Sequence, residues 1–142
     1  MKVIQVGIGG MGNAWLRAVL DSPVVEYAGF VEVSEKIAAE QVAKYGLDGS
    51  RIYKSLGEAL RAVKADGVIN VTPPQFHKAV SLEALAAGVP VLSEKPLADT
   101  RQTAQDIVDT ANRTGVLHMV TQNYRYAPPT QTLKKALDSG VA

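Results

Sequence analysis

The residues with the clearest chemical potential form a glycine-rich turn near the start of the chain. Gly7-Ile8-Gly9-Gly10-Met11-Gly12 has the spacing G-x-G-x-x-G and lies between a short apolar run and a helical pattern. The first glycine permits the tight turn, the second lets a pyrophosphate approach the backbone, and the third brings helix and strand into contact. Free N–H groups at a helix N-terminus attract an anion. The motif predicts a phosphate-binding loop made by Gly7, Gly9, Gly10, Met11 and Gly12.

Glycine-rich turns have other uses, and Glu32 supplies a second signal. It ends the second predicted strand, 20 positions after Gly12, which is the spacing of a carboxylate that accepts hydrogen bonds from an adenosine ribose. A carboxylate there repels a 2′-phosphate, so NAD is favoured, while nearby Lys36 leaves NADP open. The alternative is that Glu32 is a solvated strand end.

A third group of chemically capable residues is Glu94-Lys95-Pro96, which directly follows the apolar run Val89–Ser93. We expect an ion pair of sequence neighbours at the carboxyl edge of a strand, in the crevice where open α/β sheets bind ligands. Lys95 would be suited to proton transfer with a substrate hydroxyl. The alternative is a surface lysine with an incidental carboxylate neighbour.

The elements that must position these residues alternate regularly along the chain. Short apolar runs are each followed by an amphipathic segment, for example a predicted helix over Glu35–Tyr45 that Gly46 ends. Nearly uniformly apolar strands separated by helices are typical of a parallel sheet covered on both faces. With right-handed crossovers, this predicts an α/β fold with a doubly wound, mainly parallel sheet.

Composition excludes several classes of protein. The 142 residues carry 15 Lys+Arg and 14 Asp+Glu, a net charge of +1, which argues against nucleic acid or an anionic membrane as partner. There is no cysteine and there are two histidines, so no metal site is expected. No secretory leader or apolar run of membrane-spanning length is visible. We therefore expect a cytoplasmic protein.

Five segments, taken in order, resemble the N-terminal half of one oxidoreductase family. They are Gly7–Gly12, the strand-end Glu32, Thr72-Pro73-Pro74-Gln75-Phe76-His77, Ala86–Pro96 and Asn123-Tyr124-Arg125-Tyr126. The family is that of glucose–fructose oxidoreductase, inositol dehydrogenase and rhizopine-catabolism proteins (Gfo/Idh/MocA). The resemblance covers essentially the whole chain, and the Glu-Lys-Pro run is its most specific element.

The resemblance implies an NAD(P)-dependent dehydrogenase of sugars, cyclitols or related polyols, forming a homo-oligomer when full length. It implies that Lys95 lies beside the nicotinamide and assists proton transfer, and that Glu94 contacts the ribose region. The remaining residues expected on the nicotinamide side are Thr72, Pro73, Pro74, His77 and Asn123. His77 alternatively serves only as a first-turn helix residue. Trp15 stands where many relatives carry histidine and is expected to fill core.

The resemblance also implies a division of the chain into a Rossmann domain over 1–122 and a connecting segment with a helix over 123–142. That segment leads to a second α+β domain, absent from this sequence, so we expect the chain alone to bind cofactor without turnover. Two alternatives stay open. One is a non-catalytic, NAD-responsive regulatory module, suggested by the apolar stripe of the last helix. The other is an S-adenosylmethionine domain, which Glu94-Lys95-Pro96 disfavours.

Overall fold

A computed structural model describes residues 1–140 as one parallel sheet with helices on both of its faces. The strands are β1 (Lys2–Val6), β2 (Glu26–Val31), β3 (Ile52–Tyr53), β4 (Gly67–Asn70), β5 (Val91–Ser93) and β6 (His118–Val120). The helices are α1 (Gly12–Leu20), α2 (Glu35–Tyr45), α3 (Leu56–Ala62), α4 (Pro74–Ala86), α5 (Arg101–Thr114) and α6 (Pro128–Asp138). Positions 141–142, at the end of the predicted connecting segment, lie outside the described residues.

The strand order is β3-β2-β1-β4-β5-β6, and every neighbouring pair is parallel. The order reverses direction at β1, where the chain passes from one half of the sheet to the other. The carboxyl ends of β1 and β4 therefore flank a crevice, which is the usual ligand-binding place in such sheets. The predicted doubly wound fold is confirmed.

Local capping explains where several helices begin. The Ser34 hydroxyl accepts a hydrogen bond from the Ile37 amide at 3.3 Å at the start of α2, and Gly46 ends that helix as predicted. At α3 the Ser55 hydroxyl accepts from the Glu58 amide at 3.2 Å. The Glu58 carboxylate accepts from the amide of Lys54, whereas in a reciprocal capping box it would accept from the amide of Ser55 itself.

The hydrophobic core has two layers, one on each face of the sheet. Ile4 on β1 packs with Leu85 of α4, whereas its neighbour Val3 packs with Val19 of α1. Successive side chains of a strand point to opposite faces. Gln5 therefore shares the face of Val3 and lies between β1 and α1, where it is completely buried.

Strand β3 and the exposed face of helix α6 are the two features of the fold that need separate description. Strand β3 was not predicted, because it has only two residues, both half-buried, and pairs with β2 along a single edge. Helix α6 presents Leu133 and Leu137 with more than half of each side chain exposed. Over residues 1–140, no helix combines the length and apolar character needed to cross a membrane.

Candidate functional site

The glycine-rich loop connects β1 to α1. Gly7 has φ +87°, and a Cβ there would lie 2.8 Å from the Val71 carbonyl oxygen, so the turn requires glycine. Among the described residues, no protein atom accepts a hydrogen bond from the amides of Gly9, Gly10 or Met11. A Cβ at Gly10 would meet nothing within 4 Å. The loop thus leaves both space and free donors at the N-terminus of α1.

Glu32 lies directly beside this loop. Its carboxylate accepts hydrogen bonds from the Ile8 amide at 3.2 Å and from the Ser34 amide at 3.0 Å. The residue is buried, and no basic side chain of the described residues forms an ion pair with it. Each carboxylate oxygen has two lone pairs, so both retain capacity for a further donor. Lys36, considered in connection with NADP, is exposed on α2.

These two features together fit the diphosphate and adenosine half of a dinucleotide. The three free amides offer neutral donors and the positive end of the helix dipole to the diphosphate. The Glu32 carboxylate offers acceptors for ribose hydroxyls next to them. The buried Glu32 carboxylate has no counterion among the described residues, so a phosphate on the ribose hydroxyl that it binds would meet an uncompensated negative charge. The arrangement therefore suits a ribose without a 2′-phosphate.

The turn after β4 carries Thr72, Pro73 and Pro74. The Thr72 hydroxyl donates to Asn70 Oδ1 at 2.7 Å, which fixes the start of the turn. Pro73 precedes α4 and Pro74 is its first residue, where a missing N–H costs nothing. This turn therefore has a defined shape next to the glycine-rich loop, since the Val71 amide donates to the Val6 carbonyl at 2.9 Å.

His77 lies beneath this turn and has no exposed surface. Its ring nitrogens are each 2.8 Å from a backbone carbonyl oxygen, Nε2 from that of Thr72 and Nδ1 from that of Pro96. The ring joins the turn after β4 to the turn after β5. This differs from the expected place of His77 on the lining, because burial with two carbonyl partners leaves the ring no free edge.

The Glu94-Lys95-Pro96 turn follows β5, and the Lys95–Pro96 peptide bond is cis. The Glu94 carboxylate accepts from the Trp15 indole N–H at 2.8 Å and from the Lys95 amide at 3.1 Å. The expected ion pair between Glu94 and Lys95 is absent from the structure of residues 1–140. The carboxylate instead turns toward α1, while the Lys95 side chain is exposed.

A cleft of about 600 Å³ runs between α1 and the carboxyl ends of β5 and β6. Met11 of the glycine-rich loop, Trp15, Glu94 and Asn123 are among the residues that line it. The Asn123 carboxamide oxygen accepts from the Tyr124 amide at 3.0 Å. Three residues expected in the site, Met11, Glu94 and Asn123, thus share one concave surface.

The sequence does not indicate the specific roles of two residues that matter to this geometry. Gln5 hydrogen-bonds to the glycine-rich loop from below, and Trp15 holds Glu94 rather than merely filling core. For Gln5 the sequence does contain a signal, because a polar residue among the apolar residues of a buried strand indicates a buried hydrogen-bonding role. No signal existed for Trp15, whose partner is 79 positions away.

Comparison with protein families gives one model that covers most of the chain. The family is described as "Oxidoreductase family, NAD-binding Rossmann fold", and its model matches residues 1–122. Among curated proteins, the chain is 32% identical to the rhizopine catabolism protein MocA of Rhizobium meliloti over 96% of this chain and 42% of that protein. It is 36% identical to an inositol 2-dehydrogenase of Streptomyces avermitilis, over 99% of this chain and 41% of that protein.

Solved structures of oxidoreductases also match this chain in fold. The WlbA dehydrogenase of Bordetella pertussis, in complex with NADH and UDP-GlcNAcA, superposes with a TM-score of 0.89 at 25% identity, over 98% of this chain and 42% of that one. An oxidoreductase of Agrobacterium radiobacter, in complex with NAD+, L-tartaric acid and magnesium, gives 0.89 at 26% identity, over 99% and 40%. The chain spans 38 to 44% of the length of the first curated relatives.

Proposed function

This chain belongs to the Gfo/Idh/MocA oxidoreductase family and forms its NAD-binding Rossmann domain, and we propose that it binds NAD for hydride transfer within a longer protein. The observation that carries the proposal is the pairing of free amides at Gly9, Gly10 and Met11 with the buried carboxylate of Glu32. The amides bind the diphosphate, and Glu32 accepts hydrogen bonds from the adenosine ribose. The same carboxylate repels a 2′-phosphate, so NAD binds more tightly than NADP.

The nicotinamide side is formed by the two turns that His77 joins. Glu94 accepts hydrogen bonds from the nicotinamide ribose, and the indole of Trp15 orients the Glu94 carboxylate. His77 acts as a positioning residue under both turns. The other residues proposed to line this side are Thr72, Pro73, Pro74, Lys95 and Asn123. The cofactor, when bound, supplies the hydride acceptor or donor.

Lys95 carries the proton chemistry in this proposal. Its exposed ammonium group follows Glu94 at the carboxyl edge of β5, where a substrate hydroxyl would meet it. For oxidation of a carbinol, Lys95 must first release its proton to solvent; Nζ then accepts the hydroxyl proton as the hydride passes from the carbon to the bound cofactor. During reduction, the ammonium returns that proton to the oxygen. Lys95 is thus the catalytic residue of this chain.

The substrate class proposed is a sugar, cyclitol or related polyol. Support comes from relatives named as inositol 2-dehydrogenases and a levoglucosan dehydrogenase and from the neighbour that binds UDP-GlcNAcA. The near-balanced charge supports a small molecule rather than nucleic acid as partner. We place the domain boundary at residue 122 and propose that segment 123–142 leads to a second domain in a homo-oligomeric protein.

Titration calorimetry with NAD, NADP and S-adenosylmethionine, followed by a dehydrogenase assay with myo-inositol and glucose, tests the proposal. We expect the 142-residue chain to bind NAD best and to show no turnover, and the full-length protein to reduce NAD. Lys95→Met in the full-length protein should keep NAD binding and lose at least 100-fold in kcat, on the order of a lost general base. Binding of neither dinucleotide would refute the proposal.

A further inference from the structure

Gln5 carries a carboxamide side chain within the buried part of β1, between Ile4 and Val6. Its side chain has no exposed surface and lies on the face of the sheet that α1 covers. A buried amide without hydrogen-bond partners costs several kcal/mol, so such a residue persists in a core only where its polar atoms are paired. The partners of Gln5 therefore indicate what the residue does.

Both acceptors of the Gln5 amide group belong to the glycine-rich loop, and its oxygen is held from β2. Its Nε2 donates to the Gly7 carbonyl at 3.0 Å and to the Gly12 carbonyl at 2.9 Å, at the two ends of the loop. Its Oε1 accepts from the Tyr27 hydroxyl on β2. Burial raises the pKa of the Tyr27 phenol well above its ordinary value, so this hydroxyl stays protonated and donates. A flipped amide would place Oε1 against two carbonyl oxygens, so only one orientation is compatible with the loop.

The bond to Gly7 also reaches Glu32. The carbonyl of Gly7 and the N–H of Ile8 belong to one peptide plane and point in opposite directions, because the peptide is trans. Gln5 holds the carbonyl end of this plane, and Glu32 Oε2 accepts from its N–H end at 3.2 Å. A rotation of the plane that breaks one bond breaks the other. Gln5 and Glu32 thus act on the same peptide from opposite sides.

We propose that Gln5 is a positioning residue that sets coenzyme preference, since it holds the glycine-rich loop in its phosphate-binding shape and, through the Gly7–Ile8 peptide, fixes the carboxylate of Glu32. The inference rests on the proposed function, in which Glu32 accepts from the ribose of NAD and repels the 2′-phosphate of NADP. If the Gly7–Ile8 peptide is no longer held, Glu32 binds the ribose of NAD less well and also repels the 2′-phosphate of NADP less strongly. Global destabilisation would lower both affinities equally, so the ratio of the two dissociation constants isolates the positioning role.

The experiment compares Gln5→Leu with the wild-type protein by calorimetry with NAD and NADP. The matched control is Gln41→Leu, since Gln41 is also a buried glutamine, lies on α2, and has a carboxamide oxygen with no partner among the described residues. We expect Gln5→Leu to raise the Kd for NAD about tenfold, because two buried carbonyls lose their donor. We expect a smaller change for NADP, so that the preference for NAD falls. Gln41→Leu should leave both constants unchanged.

Circular dichroism at the temperature of the titration shows whether each variant is folded. If Gln5→Leu does not fold, Tyr27→Phe decides, because it keeps both Gln5 donor bonds to the loop and removes only the hydroxyl that holds the Gln5 oxygen from β2. It should lower the preference for NAD about threefold, the worth of one ordinary hydrogen bond. A folded variant in which the ratio of the dissociation constants for NAD and NADP is unchanged would overturn the inference. It would leave the proposed function, binding of NAD by this chain, unaffected. Failure of the wild-type protein to bind NAD would instead refute the proposed function, and this inference with it.

Discussion

Gly12→Ala is the substitution for which the structure predicts the sharpest effect on the loop. Gly12 is the first residue of α1, and a Cβ there would lie 2.3 Å from the Gly7 carbonyl oxygen and 2.9 Å from the Gly7 carbonyl carbon. Contacts below 3.0 Å are essentially not seen for real Cβ atoms. The atoms that must give way are backbone, so the loop itself has to move.

The expected magnitude follows from this overlap. Inserting a methyl group into a filled site costs about 1–3 kcal/mol, and the displaced Gly7 carbonyl also loses its bond from Gln5. We expect the free energy of unfolding to fall by about 2 kcal/mol, which lowers the Tm by roughly 6–10 °C for a domain of this size. The same displacement should raise the Kd for NAD at least tenfold, since the amides of the loop no longer converge on one anion.

Thermal unfolding followed by circular dichroism measures the first effect, and calorimetry with NAD measures the second. Gly49→Ala is the control, because a Cβ there would meet only Val42 Cγ2 at 3.9 Å, an ordinary contact. It should change the free energy of unfolding by less than about 1 kcal/mol and leave the Kd unchanged. A Gly12→Ala protein with the Tm and NAD affinity of the wild type would show that the loop accommodates a Cβ at Gly12 without moving.

Three further substitutions test other contacts. Glu32→Gln should raise the Kd for NAD about tenfold and that for NADP less, because an amide replaces the carboxylate beside the loop. Trp15→Phe keeps an aromatic ring but removes the donor to Glu94, so chemical denaturation should show a loss of about 1 kcal/mol. Burial, and to a smaller extent the electrostatic interaction with His77, lower the pKa of His118 below its ordinary value of 6.5. The unfolded chain therefore binds more protons, and stability should fall as pH drops from about 6.5 toward the folded-state pKa; His118→Asn should flatten that part of the Tm profile.

Each of these predictions has an outcome that contradicts it. An unchanged NAD-to-NADP ratio in Glu32→Gln would remove Glu32 from the ribose site. Equal stability of Trp15→Phe and the wild type would mean that the indole–carboxylate bond is replaced by water at no cost. If the His118→Asn protein kept the full loss of Tm between pH 7 and pH 5, the histidine would not be the group responsible.

Much of the fold follows from local sequence signals. Helix α2 begins after Ser34 and ends at Gly46, because a side-chain cap and a left-handed residue act within a few positions of the chain. The two-residue β3 has no such signal, and it is a strand only because β2 offers an unpaired edge to it. Pairing across the sheet is a tertiary contact that no periodicity within residues 52–53 could reveal.

The residues of the candidate site likewise include some that local spacing predicts and some that it does not. Glu32 is next to the glycine-rich loop as its spacing indicates, since the crossover from β1 through α1 to β2 brings the two together. The neighbouring charges of Glu94 and Lys95 suggested an ion pair, but Glu94 has a better-placed donor in Trp15, which lies on a different element. His77 is part of a local sequence motif, whereas one of the two carbonyls that its ring contacts belongs to Pro96, 19 positions away. The positions of the Glu94 and His77 side chains thus depend on contacts between elements that are distant in sequence.

A crystal structure of the protein with NAD tests the central claim most directly. The diphosphate oxygens should lie within hydrogen-bond distance of the amides of Gly10 and Met11, with a hydroxyl of the adenosine ribose on the carboxylate of Glu32. NAD bound instead at the amino ends of the strands, in the cleft of about 660 Å³ lined by Lys2, Glu26 and Asp66, with these amides left without a partner, would contradict this binding mode.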